Sequence, residues 1–263
     1  MADRMKPHVA ERVNIIRQWE SDMGLLEAKD IGFKKYHNYY APEGIVKDSN
    51  TVLSFGVGGE CKFEKLLLHE NENLNLYMFD PTPYTLHNIH GIVHTSGRPQ
   101  INDNILNNKL ARKIKFYPYA YSHTNGPQQF YYDPNKEEQK NVEQITQSFS
   151  LIKQNGSYKS VTVECMNIKR IMEKFSLGDI DIIKADIEGL WKEIGDEILD
   201  NNIKIKMLAT EFELSFDEIN VALSKAKTVI EKFEGAGYKA FLNRRRNKLM
   251  LEMLFVRKDL YAG

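Results

Sequence analysis

Apolar and polar residues follow two different periods along the chain, and the two periods alternate. Short apolar runs, several of them rich in β-branched residues, predict buried strands at 51–57, 74–80, 114–122, 180–186 and 206–212. Apolar residues three or four positions apart predict helices that begin after 60 and cover 167–175, 190–199 and 215–234. Strands and helices that alternate in this way are typical of an α/β fold with a mostly parallel sheet.

Shorter runs predict further strands, and one polar span between them predicts a loop. The runs 128–133 and 161–163 predict short strands, the first of them as part of a hairpin. The runs 238–242 and 249–257 predict a hairpin that closes the sheet. The polar span 134–156 has no clear period and predicts a long loop.

The first 50 residues have a different pattern of apolar and polar positions from the rest of the chain. Charges between apolar positions predict one amphipathic helix over 3–23, and an aromatic, extended stretch follows at 31–42. We therefore expect an N-terminal helix and aromatic segment over 1–50 and one sheet domain over 51–263.

Composition and charge exclude several classes of protein. The chain has 263 residues, 42% of them hydrophobic, which is enough to bury the core of one domain with an extension. Lys and Arg total 36, as do Asp and Glu, so no overall field would attract a nucleic acid. The two cysteines, Cys61 and Cys165, favour a reducing compartment, and no apolar run approaches a membrane span of about 18 residues. We expect a soluble, cytoplasmic protein, and its oligomeric state stays open.

The first strand ends in a glycine-rich turn that contains Gly56, Gly58 and Gly59. Strand, glycine turn and helix are typical of a nucleotide cradle, because a Cβ would block the approach of a ligand to the backbone. A dinucleotide motif needs a further glycine three positions after Gly58, where this chain has Cys61. Glu60 would also repel phosphates. The turn favours a cationic ligand that has a ribose and no phosphate, S-adenosylmethionine; the alternative is a plain turn.

Carboxylates follow the ends of three later strands. Asp80 ends the second strand about 20 residues on, where a carboxylate can bind both hydroxyls of a ribose. Asp186 and Glu188 end the strand that begins at 180, and Glu211 lies near the end of the next one. Acids at this edge of a parallel sheet point into its ligand crevice, whereas capping of the next helix is the alternative. Asp186 is the first candidate for a base that deprotonates an acceptor hydroxyl, and Glu188 and Glu211 are second choices.

Aromatic, histidine and basic residues form three further groups. Tyr36, Tyr39 and Tyr40 predict either a segment packed on the core or a platform for an acceptor, since tyrosine rings suit sugar faces. Within two helices predicted in 84–112, three histidines share one face, but residues 87–94 contain no Cys, Asp or Glu, so we predict a surface stripe and no metal site. A magnesium ion on carboxylate oxygens stays open as an alternative. The basic turn 244–248 predicts a solvated loop or a contact to a phosphate-bearing acceptor.

Three stretches of the sequence resemble the FkbM family of S-adenosylmethionine-dependent methyltransferases. They are residues 54–60, the strand end at 79–80, and 182–189, whose Asp-Ile-Glu-Gly motif is the most specific. The resemblance covers about 31–257 and implies a class I methyltransferase (Rossmann-like) sheet of about seven strands, its last strand antiparallel, with helices on both faces. It also implies O-methylation, often of a sugar hydroxyl or a polyketide.

The resemblance assigns roles to particular residues. Glu60 would lie beside the methionyl end of the cofactor, Ala120 near its adenine, and Asp186 and Glu188 toward the transferring methyl. The cofactor-binding residues predicted in this way are Ser54, Phe55, Gly56, Gly58, Glu60, Asp80, Ala120 and Asp186. Trp191 occupies a position where the family often has a second glutamate, and 37–40 replace an Asp-Gly-Gly-Tyr of many members, so acceptor choice is expected to differ.

The function predicted from the sequence is O-methylation of a sugar, a glycan or a small metabolite. A nicotinamide-dependent oxidoreductase is the alternative from another enzyme class, although the sequence has neither the further glycine nor a clear Tyr/Lys or His catalytic pair. A catalytically inactive module that binds S-adenosylmethionine or its product is the second alternative.

Overall fold

The computed structural model describes residues 7–57, 61–82, 114–132, 150–151, 159–244 and 249–261. The helices are α1 (Pro7–Asp22), α2 (Glu43–Lys47), α3 (Lys62–Glu70), α4 (Ile168–Phe175), α5 (Trp191–Asp200) and α6 (Ile219–Gly235). The strands are β1 (Lys34–Tyr36), β2 (Tyr39–Ala41), β3 (Thr51–Phe55), β4 (Asn75–Phe79), β5 (Ile114–Tyr117), β6 (Ala120–Tyr121), β7 (Gly126–Tyr132), β8 (Lys159–Met166), β9 (Ile182–Ala185), β10 (Met207–Glu213), β11 (Tyr238–Arg244) and β12 (Met250–Arg257). The helices predicted in 84–112, most of the loop predicted at 134–156 and most of the basic turn lie outside the described residues.

Seven strands form one sheet in the order β5-β4-β3-β9-β10-β12-β11. The chain proceeds from β3 toward one edge through β4 and β5, and later returns to the other side of β3 with β9. Strand β12, the last in the chain, is antiparallel to both of its neighbours. This order and the antiparallel last strand confirm the class I methyltransferase sheet that the sequence predicted.

The central strands are buried on both faces because other elements cover both faces. Every residue of β9 and β10 is buried, as their nearly continuous apolar runs predicted. One face of the sheet packs against α1, α4, α5 and α6, and the other packs against α3 and the β1–β2 hairpin. Since both faces of the sheet are covered, a ligand can approach the central strands at their carboxyl ends.

The N-terminal segment is bound to the sheet domain by specific contacts. The Arg12 guanidinium donates to the carbonyl oxygens of Leu214 at 3.2 Å and Asp217 at 3.0 Å. Beyond α1, the Leu242 N–H donates to the Leu26 carbonyl at 2.9 Å, which covers the outer edge of β11. The aromatic stretch predicted at 31–42 contains the β1–β2 hairpin, and a short 3-10 helix at Ala28–Ile31 precedes it.

Two strand predictions were right about the presence of strands but wrong in their bounds. The run 114–122 is divided at Pro118, which has no N–H to donate to a ladder, into β5 of the main sheet and β6 of a second sheet. The short strand predicted at 161–163 extends over the eight residues of β8, which pairs with β6 and β7 in that second sheet. Its first residues are polar and exposed, so hydrophobicity alone did not reveal them. No helix of the described ranges has the length and apolar character needed to span a membrane.

Candidate functional site

A cavity of about 280 Å³ opens at the carboxyl ends of β3, β4 and β9, where the strand order reverses. Ligands of open α/β sheets bind at this place. Its lining consists of Gly56, Val57, Phe79, Asp80, Pro81, Thr82, Ala120, Tyr121, Phe130, Leu151, Asp186, Ile187, Glu188 and Leu190. The residues of this lining that the sequence predicted are Gly56, Asp80, Ala120, Asp186 and Glu188.

Gly56 forms the turn at the end of β3 with a φ of 65°. Its N–H donates to the Phe79 carbonyl at 3.1 Å, and a Cβ on it would lie 1.8 Å from the Asp186 carbonyl oxygen. The ends of β3 and β9 therefore approach so closely that only glycine fits between them. Gly58 and Glu60 lie outside the described residues.

Asp80 follows β4, lines the cavity and is 4% exposed. Its Oδ1 accepts hydrogen bonds from the Thr82 N–H at 2.9 Å and from the Thr82 hydroxyl at 2.6 Å. These two donors fix the orientation of the carboxylate at the cavity wall. A carboxylate in this position is suited to hydroxyl groups of a ligand.

Asp186 lies at the end of β9 and its side chain is 42% exposed. The Tyr39 hydroxyl donates to Oδ2 at 3.2 Å, and the Lys184 ammonium lies 3.5 Å from the same oxygen. The Lys184 ammonium also donates to the carbonyl oxygens of Phe55 and Gly56. Within the described ranges, no hydrogen bond to Oδ1 of Asp186 is present, so this oxygen is available at the cavity.

Further acids lie beside the cavity at the end of β10. Glu213 is 8% exposed, and the Gly189 N–H donates to its Oε2 at 2.6 Å. Burial, and after it the charge of Glu188, raise the pKa of Glu213 to about 10, so its carboxyl group is protonated at neutral pH. Glu211 is buried opposite Glu252 of β12 and does not line the cavity.

Lys184 and Glu213 were missed as site residues in the sequence. Both are ionisable residues within strands that are buried on both faces. A charge in such a strand needs a polar partner, because its burial without one would cost several kcal/mol. This position within an apolar run was the signal that could have identified them.

Ser54 and Phe55 support the turn from inside the protein. The Ser54 hydroxyl donates to Glu64 Oε1 at 2.5 Å, and both residues are buried. The Phe55 ring stacks on Phe79 at 5.1 Å and meets the edge of Tyr121 at 5.5 Å. Neither side chain lines the cavity, so any contact of Ser54 or Phe55 with a cofactor would involve their backbone.

The three tyrosines predicted as an acceptor platform belong to the β1–β2 hairpin. Tyr36 is 2% exposed and Tyr39 is 7% exposed, and the Tyr36 hydroxyl has no hydrogen-bond partner among the residues that the structure describes. The Tyr40 N–H donates to Asn243 Oδ1 at 2.6 Å. Among the described residues of the cavity lining, none of the three tyrosines is present, and the Tyr39 hydroxyl contacts the lining at Asp186.

The second sheet supplies apolar lining that the sequence did not single out, apart from Ala120. Tyr121 of β6 and Phe130 of β7 are buried at the cavity wall, and Leu151 lies beside them. The Tyr121 hydroxyl donates to Glu197 Oε2 at 2.9 Å, which holds the ring in place. The wall on this side of the cavity is therefore suited to a flat, apolar group.

Two further observations concern the metal site that the sequence left open and the position of Trp191. In the part of the chain that the structure describes, no three His, Cys, Asp or Glu side chains converge in a way that could hold a metal ion. Trp191 stacks on Phe212 with ring centroids 4.3 Å apart and is 4% exposed. The residue that replaces a second glutamate of the family thus packs in the core.

Comparison with known families gives one match. The model of the methyltransferase FkbM domain matches residues 49–240, more than two thirds of the chain. No curated protein matches the sequence.

Several solved structures are similar to this chain at low sequence identity. Precorrin-6y C5,15-methyltransferase from Geobacter metallireducens is 11% identical, with 85% of this chain and 92% of that chain covered and a TM-score of 0.41. The O-methyltransferase TomG from Streptomyces achromogenes, solved with S-adenosylmethionine, is 6% identical, with 98% and 92% covered and a TM-score of 0.43. Fibrillarin from Aeropyrum pernix, with natively bound S-adenosylmethionine, is 10% identical, with 80% and 68% covered and a TM-score of 0.41. These TM-scores are low, so the fold class rests on the strand order and the family match.

Proposed function

The chain belongs to the FkbM family of S-adenosylmethionine-dependent methyltransferases, and from this premise we propose that it methylates a hydroxyl group of a sugar, a glycan or a small metabolite. The observation that carries the proposal is the cavity itself. Asp80 and Asp186 come from strands on opposite sides of β3, and both line the space above the Gly56 turn.

The described residues fit an adenosyl group. Asp80, oriented by Thr82, would accept hydrogen bonds from the ribose hydroxyls. Tyr121 and Phe130 offer apolar surface that suits an adenine ring. The carboxylates of the lining would balance a positive charge near them. When bound, S-adenosylmethionine supplies an electrophilic methyl group on a sulfonium.

The chain's own residues would align and deprotonate the acceptor. We assign Asp186 as the general base, because it lines the cavity and its Oδ2 is held by Tyr39 and Lys184, which leaves Oδ1 for the acceptor. The proton of the acceptor hydroxyl would move to Oδ1 as the oxygen attacks in line with the methyl group. Glu188, in the same lining, is positioned to bind a second hydroxyl of the acceptor or to act as the base itself. The apolar wall would exclude water from the reacting oxygen.

Calorimetric titration tests the cofactor part of the proposal. We expect heat with S-adenosylhomocysteine and none with NAD⁺. We expect Asp80→Asn to weaken S-adenosylhomocysteine about 10- to 100-fold, since charge-assisted hydrogen bonds contribute about 1.5–3 kcal/mol. Asp259→Asn, which removes a surface partner of Arg257 far from the lining, is the control. Heat with NAD⁺ alone would favour the oxidoreductase.

A screen with methyl-labelled cofactor against glycans and metabolites tests the transfer. We expect label on a hydroxyl oxygen, and we expect Asp186→Asn to lower turnover about 10²- to 10⁴-fold, the usual contribution of general base catalysis, at unchanged S-adenosylhomocysteine affinity. Full turnover by Asp186→Asn would show that another residue is the base. Binding without transfer to any acceptor would favour the inactive module.

A further inference from the structure

The β1–β2 hairpin contacts one residue of the cavity lining, Asp186, although it precedes the region that the family model matches. The family match begins at residue 49, whereas the hairpin ends at Ala41. Tyr39 of this hairpin is buried against Phe63 of α3, with ring centroids 4.9 Å apart, and its hydroxyl reaches Asp186 of β9. A segment that precedes the matched region therefore contacts the proposed base.

Both described partners of the Asp186 carboxylate bind the same oxygen. The Tyr39 hydroxyl is 3.2 Å and the Lys184 ammonium 3.5 Å from Oδ2. Two contacts on one oxygen restrict rotation of the carboxylate and direct Oδ1 away from the hairpin. We propose that Tyr39 and Lys184 are positioning residues that hold Asp186 with Oδ1 presented to the acceptor hydroxyl. This inference rests on the proposed function of the cavity.

Tyr39 is suited to this role because it can act only as a donor toward Asp186. Burial, and after it the charge of Asp186, raise the pKa of Tyr39 well above its ordinary value. The phenol therefore keeps its proton at neutral pH. The phenol acts on the position of the Asp186 carboxylate through one donated hydrogen bond.

Lys184 connects the same carboxylate to the glycine turn. Its side chain is only 4% exposed, and its ammonium donates to the carbonyl oxygens of Phe55 and Gly56 while it faces Asp186. The ammonium also lies 5.8 Å from the centre of the Tyr39 ring. The turn, the base and the hairpin thus share one buried cation, so their relative positions are linked.

The test compares two tyrosines of one hairpin. Tyr39→Phe removes the hydroxyl that binds Asp186 and keeps the buried ring. Tyr36→Phe is the matched control, because Tyr36 is paired with Tyr39 in the hairpin, is similarly buried, and has a hydroxyl that none of the described residues binds. Each change is made in the wild type and in Asp186→Ala, and thermal unfolding of the ligand-free protein is measured.

The contact itself predicts a pattern that does not depend on activity. Tyr39→Phe should lower Tm by about 2–4 °C in the wild type and cause no loss in Asp186→Ala, where its hydroxyl has lost its acceptor. Tyr36→Phe should change Tm by the same amount in both backgrounds. If the effect of Tyr39→Phe were also the same in both backgrounds, the contact with Asp186 would not exist in solution and the inference would be overturned.

The positioning role predicts a separation of kinetic constants. Tyr39→Phe should lower kcat about 10- to 100-fold, as expected for a displaced catalytic group, with the acceptor KM and the S-adenosylhomocysteine affinity within about twofold. If the wild type binds S-adenosylhomocysteine and transfers methyl groups, but Tyr39→Phe has the same kcat, the positioning role is overturned and the proposed function stands. A wild type that gives no heat with S-adenosylhomocysteine would overturn the proposed function, and the positioning role with it.

Discussion

The replacement of Gly56 by alanine offers a direct test of how the site is built. The new Cβ would lie 1.8 Å from the Asp186 carbonyl oxygen, and non-bonded Cβ contacts below 3.0 Å essentially do not occur. The ends of β3 and β9 would have to separate by more than 1 Å. That movement would break the hydrogen bond from the Asp186 N–H to the Phe55 carbonyl, now 3.1 Å long.

Two costs add up for this substitution. Alanine at a φ of 65° costs about 1–2 kcal/mol, because its Cβ crowds the carbonyl oxygen in the left-handed region. Loss of the strand hydrogen bond and forced displacement of Asp186 add about 2–3 kcal/mol. We therefore expect Gly56→Ala to lower the free energy of unfolding by about 3–5 kcal/mol, and to weaken S-adenosylhomocysteine through the displaced turn.

Gly24→Ala is the control that separates these two costs. Gly24 has nearly the same φ, 62°, but a Cβ there would meet no atom within 4 Å. This variant should lose only the conformational cost of about 1–2 kcal/mol. Urea denaturation of both variants, with calorimetry for the ligand, gives the two numbers. Equal losses of stability would refute the close approach of β3 and β9 as the reason for this glycine.

Two further predictions concern acids beside the cavity. Burial, and after it the charge of Glu188, raise the pKa of Glu213 to about 10. Between about pH 4.5 and pH 10 the folded state therefore holds a proton that the unfolded state releases. Because of this proton, Glu213 makes the free energy of unfolding fall as pH rises over that range. Glu213→Gln, which keeps an acceptor for the Gly189 N–H, should reduce that slope in denaturant unfolding at pH 5, 7 and 9; an unchanged slope would contradict a protonated Glu213. Ser54→Ala should lower the free energy of unfolding by about 1.5–3 kcal/mol, because it removes a donor from the buried carboxylate of Glu64, but should leave S-adenosylhomocysteine affinity within about threefold. A large loss of affinity in the calorimeter would place the Ser54 hydroxyl at the cofactor instead.

Periodic patterns predicted the main sheet well because its strands are buried on both faces. The apolar runs that became β3, β4, β9 and β10 needed no long-range information. The second sheet was harder to predict, since β8 begins with exposed polar residues and owes its extension to pairing with β7. Pro118 was visible in the sequence, but the sequence did not show that the chain changes sheets there.

The candidate site was predictable only where an acidic residue follows the end of an apolar strand. Asp80, Asp186 and Glu188 were found because carboxylates after apolar strands are unusual, and the structure brings them to one cavity. Glu211 carries the same local signal, but it lies opposite Glu252 and away from that cavity. The alternation of a strand decides which face each side chain takes, whereas the neighbouring strand decides what that face meets.

Local properties of the sequence determined the α/β fold, the order of strand and helix, and the strand ends at which a ligand could bind. Tertiary structure alone decided that Tyr39, 147 residues from Asp186 in sequence, donates to that carboxylate. It also decided that Gly56 serves a contact between two strands as well as a turn. The physical reason is that periodicity records how each residue divides between water and core, while hydrogen bonds and close contacts depend on which distant segments meet.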